Sequence, residues 1–98
     1  MAKYATLYNF TQQGMKAVKD SPDRVKAAIA AGESVGMKVL GVYYTQGPYD
    51  MVVISEAADE KAATAFALAT AAQGNVTSIT MPAWDVSEFE EIVGMMPG

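Results

Sequence analysis

The chain has 98 residues, a net charge of −4 and neither cysteine nor histidine. Disulfides, thiolate nucleophiles, imidazole bases and the usual histidine or cysteine metal and haem ligands are therefore excluded before any motif is read. Hydrophobic residues make up 51% and charged residues 18%, the balance of a folded chain with room for one domain, residues 1–98. Residues 1–48 carry six Lys/Arg against three Asp/Glu, and residues 49–98 carry one against eight. An acidic total argues against nucleic acid as a partner, because phosphate backbones are held by clustered cations. Lys16, Lys19, Arg24 and Lys26 read as a solvated helical face.

In chain order, KYATLYNF (Lys3 to Phe10) is aromatic and β-branched and predicts a strand covered on both faces. TQQGMKAVKD predicts one irregular helical turn, weakened by Gly14. SPDRVKAAIAAGESVGM predicts a firm helix: Ser21 can cap it, Pro22 suits the first helical position and Asp23 complements the N-terminal dipole. Val25, Ala28, Ile29, Gly32 and Val35 recur along one face, and Gly36 can end the helix in a left-handed conformation. MKVLGVYYTQ, from Met37 to Gln46, predicts a second strand. After Gly47-Pro48, YDMVVISE predicts a third, so close that the two must form an antiparallel hairpin.

ADEKAATAFALATAAQGN predicts a helix capped by Asp59 and closed by Gly74. Ala62, Ala63 and Ala69 suit close packing on a sheet, while Ala65, Leu68 and Ala72 leave the opposite side apolar. NVTSITMPAW, Asn75 to Trp84, predicts a fourth strand ended by Pro82, and DVSEFEEIVGMMPG a short helix capped at Ser87 with Phe89, Ile92 and Val93 facing inward. The opening MAKYATLYNFTQQG lacks an apolar core behind a basic head, and no apolar run reaches the roughly eighteen residues of a membrane span. A cytoplasmic protein with no membrane association is expected.

The order strand, helix, strand, strand, helix, strand is the ferredoxin-like β-α-β-β-α-β pattern, an α+β fold with a four-stranded antiparallel sheet and helices on one face. The other face would be bare. Alternation assigns it Tyr4, Thr6, Tyr8 and Phe10 as one row and Gly41 with Tyr43 as part of another, and aromatic rows of that size are seldom left in water. A second copy of the chain, sheet against sheet, is the expected cover.

These residues resemble the GYD domain family, placed with the dimeric α/β barrels. The resemblance is carried by TLYNFTQQG, SPDRVKAA, GVYYTQGPYDMVVISEAADEKAATAFALA and GNVTSITMPAW, and it covers nearly the whole chain in order. The Gly-Tyr-Asp tripeptide that names the family is interrupted here by Pro48, between Gly47 and Tyr49-Asp50. The resemblance implies a ferredoxin-like subunit whose sheet faces that of a partner in a homodimer or a multiple of dimers. It implies no reaction, since related barrels include cofactor-free oxygenases, isomerases and plain binding domains.

Two roles fit Asp50. It can serve as a general base, with Tyr43 and Tyr49 orienting a small aromatic or carbonyl compound, or it can fix the hairpin by accepting backbone hydrogen bonds. Tyr8, Tyr43, Tyr49 and Trp84 are the candidate ligand-binding residues, with dimer packing as the competing role for the aromatic set of Tyr4, Tyr8, Phe10, Tyr43, Tyr44 and Trp84. The carboxylates at Glu56, Asp59 and Glu60 and at Asp85, Glu88, Glu90 and Glu91 match no calcium loop and suit helix starts, so no metal or other cofactor is expected. The reading is a small-molecule-binding or interaction module acting as a homo-oligomer. The alternative is a cofactor-independent oxygenase or isomerase with Asp50 as base.

Overall fold

The structure, a computed structural model, describes residues 2–98. Strand β1 (Ala2–Phe10) leads through helix α1 (Gln12–Lys16) and a 3-10 turn (Val18–Asp20) into α2 (Ser21–Ser34). Strands β2 (Met37–Tyr44) and β3 (Met51–Ala57), helix α3 (Glu60–Ala72), strand β4 (Val76–Ala83) and helix α4 (Val86–Gly94) follow. The strands form one four-stranded sheet in the order β2-β3-β1-β4, with every neighbouring pair antiparallel. This is the expected α+β, ferredoxin-like arrangement.

Which side of the sheet is covered follows from the register. Tyr4, Tyr8, Met37, Met51, Val53, Ala57 and Val76 are buried, and they pack with Ala63 and Phe66 of α3 and Val25 of α2. The row Tyr4, Thr6, Tyr8 therefore lies beneath the helices, with Phe10 packed beside it, and is not the bare row the sequence suggested. Period-two alternation fixes which residues share a face but not which face meets the helices. That choice falls to what stands opposite, and Tyr8 pairs with Met51 on β3, itself a core residue.

The opposite parity forms the outer face. Leu7 pairs with Val52 and with Ile79, Ala5 with Ile54 and with Met81, and Tyr43 with Val52. Gly41 and Tyr43 do belong to this face, and a Cβ on Gly41 would meet the Tyr43 ring at 3.0 Å, so the ring lies back over the glycine. The ladder between β2 and β3 is interrupted between Val39 and Gly41. Ile79 and Tyr43 are 52% and 64% exposed.

Two helix starts differ from expectation. The residue preceding α2 is Asp20, without a side-chain cap, and Ser21 is buried with its hydroxyl 2.8 Å from that of Tyr44. In α4 the cap is Asp85, not Ser87: Asp85 accepts from the Glu88 amide and Glu88 returns a bond to the Asp85 amide, a complete capping box. Asp59 caps α3 as its position suggests, and Gly36 and Gly74 both adopt positive φ after their helices. Pro82 does not end β4 but pairs with Tyr4 within it, which is tolerated because β4 is an edge strand.

The apolar side of α4 does not face inward. Phe89 and Val93 are exposed, and no residue of α4 is buried. The helix is tethered at its start, where Lys3 Nζ lies 3.1 Å from Asp85 Oδ2 and 3.2 Å from Glu88 Oε1. The radius of gyration of 14.9 Å exceeds the about 12.6 Å of a compact chain of this length, as expected when an element stands away from the core.

Candidate functional site

A cavity of about 80 Å³ lies between the covered face of the sheet and helices α2 and α3. Its apolar walls come from both layers: Val25 and Ile29 of α2, Phe66 of α3, and Val42, Met51 and Val53 of the sheet. Gly32 sits where a Cβ would come within 3.0 Å of the Phe66 ring, so the Phe66 side chain lies directly against α2 at that point.

The polar part of the lining is Tyr8, Ser21, Arg24, Thr70, Gln73 and Asn75. Tyr8, only 5% exposed, lines the cavity, and among the described residues its hydroxyl has no protein hydrogen-bond partner. No side-chain polar atom is both fully enclosed and unpartnered among the described residues, so the Tyr8 hydroxyl opens onto accessible space. Burial pushes its pKa up, which keeps the group a neutral donor. Arg24 lines the same cavity and spends one donor on the Ala17 carbonyl at 3.0 Å. Thr70 bonds the Phe66 carbonyl, and Ser21 is shared with Tyr44. Among the described residues no Asp or Glu lines the cavity.

Arg24 is the residue sequence reasoning missed. Its charge groups it with the solvated lysines, yet it stands four residues before Ala28 and eight before Gly32, at the helical spacing of the buried face. That spacing was the available signal.

The other sequence candidates are dispersed. Asp50 Oδ2 accepts from the Phe10 amide at 2.8 Å, its own amide donates to the Tyr8 carbonyl at 2.8 Å, and its carbonyl accepts from the Thr45 amide at 2.9 Å. These bonds tie the β2–β3 hairpin to the end of β1. Tyr49 lies in that hairpin, where its carbonyl accepts from the Thr45 hydroxyl. Tyr43 is on the outer face, and Trp84, 56% exposed, follows β4. Of the four candidate ligand-binding residues Tyr8 alone lines the cavity, joined by Phe10 from the wider aromatic set, and Asp50 does not. Among the described residues no three Asp or Glu side chains converge as a metal site, and no helix is long and apolar enough to cross a membrane.

The family model for the GYD domain matches residues 4–93. A relative from Thermus thermophilus, named glutamine synthetase and cystathionine beta-lyase binding protein, is 29% identical over 90 residues, spanning 91% of this chain and 95% of its own length. A crystal structure of a Thermus thermophilus protein aligns with a TM-score of 0.48 and 22% identity, covering 88% of this chain and 96% of that one.

Proposed function

This chain belongs to the GYD domain family, and from that premise we propose that it is a binding module that works as a homo-oligomer, with its outer sheet faces meeting as in a dimeric α/β barrel. The observation that carries the reading is the bare outer face, where Leu7, Val52, Ile54, Ile79 and Met81 lie together in register without a covering layer. Contiguous apolar surface of this kind is characteristic of interfaces, and an isologous pairing lets one patch cover its own copy. Tyr43 on that face serves as interface packing. The exposed apolar stripe of α4, with Phe89 and Val93, adds a second surface for protein contact at the rim marked by Lys3. The Thermus relative is named for binding two enzymes, which supports an interaction role here as well.

The sheet–helix cavity gives the same module room for a small molecule, with Tyr8 as its buried polar contact. The enzymatic alternative with Asp50 as base is less well supported, because that carboxylate is engaged by the Phe10 amide and lies outside the cavity lining. The test of self-association is light scattering on the wild type and on Ile79→Glu. Ile79 is half exposed in the single chain, so the variant should remain folded by circular dichroism while the dimer mass falls to that of a monomer. A wild type that is monomeric, or a variant that stays dimeric, would contradict the proposed face.

A further inference from the structure

We infer that the cavity beneath α2 and α3 is a site for a small carboxylate with an apolar body, its carboxylate held by Arg24 at the mouth and its body lying among the side chains around Phe66 and Met51. The inference rests on the small-molecule reading of the cavity and goes beyond it in assigning charge, size and a binding residue.

The observations converge from three directions. First, the charge inventory is one-sided: among the described residues Arg24 is the only charged side chain lining the cavity, and it has no carboxylate within ion-pair distance. A guanidinium has five donors in a planar fork, and one of these goes to the Ala17 carbonyl, leaving donors to grip an anion. Second, Tyr8, a buried residue of the cavity wall, presents a hydroxyl that has no protein partner among the described residues and opens onto accessible space, so it is free to bond a ligand or water. Third, most of the remaining wall is aliphatic or aromatic, and of its polar residues Ser21 and Thr70 have their hydroxyls engaged within the protein, leaving Gln73 and Asn75 at one end, a lining that suits an apolar body better than a fully polar guest such as inorganic phosphate.

Size narrows the class. A water needs roughly 10–15 Å³ of such space, so about 80 Å³ accommodates roughly five to eight non-hydrogen groups. That is a carboxylate on a chain of a few carbons or on a small ring, and it excludes nucleotides and long-chain lipids. The first turn of α2 adds a weak favourable field, because Arg24 and Ser21 both belong to the end where the helix dipole is positive.

The experiment is a titration of ¹⁵N-labelled protein with pentanoate and, separately, with pentanamide, its neutral counterpart of the same size, followed through amide shifts of Val25, Met51 and Phe66. Wild type is expected to bind pentanoate at least about tenfold more tightly than pentanamide, the loss typical of a charge-assisted contact. Arg24→Gln should abolish that preference while Arg24→Lys restores part of it, and Tyr8→Phe should weaken both probes. If the wild type binds both equally, the cavity takes small molecules but the assignment of a carboxylate is overturned. If neither shifts these amides, the small-molecule reading fails with it. Shifts confined to outer-face amides such as Ile79 would place the probe elsewhere and also overturn the inference.

Discussion

Gly14 shows how a single residue can be misread when its partner is far away in the chain. In QQGMK a glycine ought to weaken the helix, yet α1 forms and Gly14 is buried. A Cβ there would lie 1.9 Å from the Asn75 carbonyl oxygen, so only glycine lets the turn after α3 come this close. Thr11 donates its hydroxyl to the Gly74 carbonyl, and Gln13 donates to Gln73 and Asn75, which secures the contact. Gly14→Ala is therefore expected to destabilise by roughly 2 kcal/mol in urea unfolding, as overpacking against immovable backbone does. Gly94→Ala, where nothing lies within 4 Å, should be neutral or slightly stabilising; equal effects from the two would remove the explanation. Local pattern could not reveal Gly14, because its partner is Asn75. Arg24 was legible by spacing but hidden by its charge, since a cation on a helix is ordinarily solvated.

At the scale of elements, most of the fold could be read from the chain: the hairpin from Gly47-Pro48, the cap of α3 from Asp59, the stops at Gly36 and Gly74. The face of β1 could not, because KYATLYNF carries apolar side chains at both parities and alternation alone has no sign. Helix α4 was legible as an amphipathic helix but not as an exposed one, since amphipathicity names a face and not its partner. Its anchoring gives a pH dependence. The Glu88 amide, and then Lys3, hold the Asp85 carboxyl below its ordinary range, while Asp85, and then Glu88, raise the Lys3 ammonium. A depressed carboxyl stabilises above its unfolded pKa and loses that contribution as pH falls through the folded value. A raised ammonium contributes below its unfolded pKa and loses its contribution as pH rises through the folded value. The first turn of α4 should thus be best protected from amide exchange between about pH 4 and about pH 10. After correction for intrinsic exchange rates, protection at Glu88 that is unchanged through the acid range would refute this tether. Because the pair is exposed, added salt should loosen it as well.

At the scale of the molecule, the chain presents two different surfaces on the two sides of one sheet. The covered side holds the core and the cavity, and the bare side holds Leu7, Val52, Ile54 and Ile79 with no layer above them. The two are separated by the pleat, so self-association through one leaves the cavity on the other intact. This separation explains why the aromatic residues of the sequence pointed to two functions at once: Tyr8 belongs to the covered side and Tyr43 to the bare one, and only pairing with β3 distinguishes them. The most direct test of the pairing is an isotope-filtered NOE experiment on a mixture of ¹³C-labelled and unlabelled protein, reading contacts between copies. Cross-peaks between copies from the methyls of Leu7, Ile54 and Ile79 are the expected result. Their absence, or contacts between copies arising instead from core methyls such as Val25 and Val53, would contradict a homo-oligomer built on the outer face.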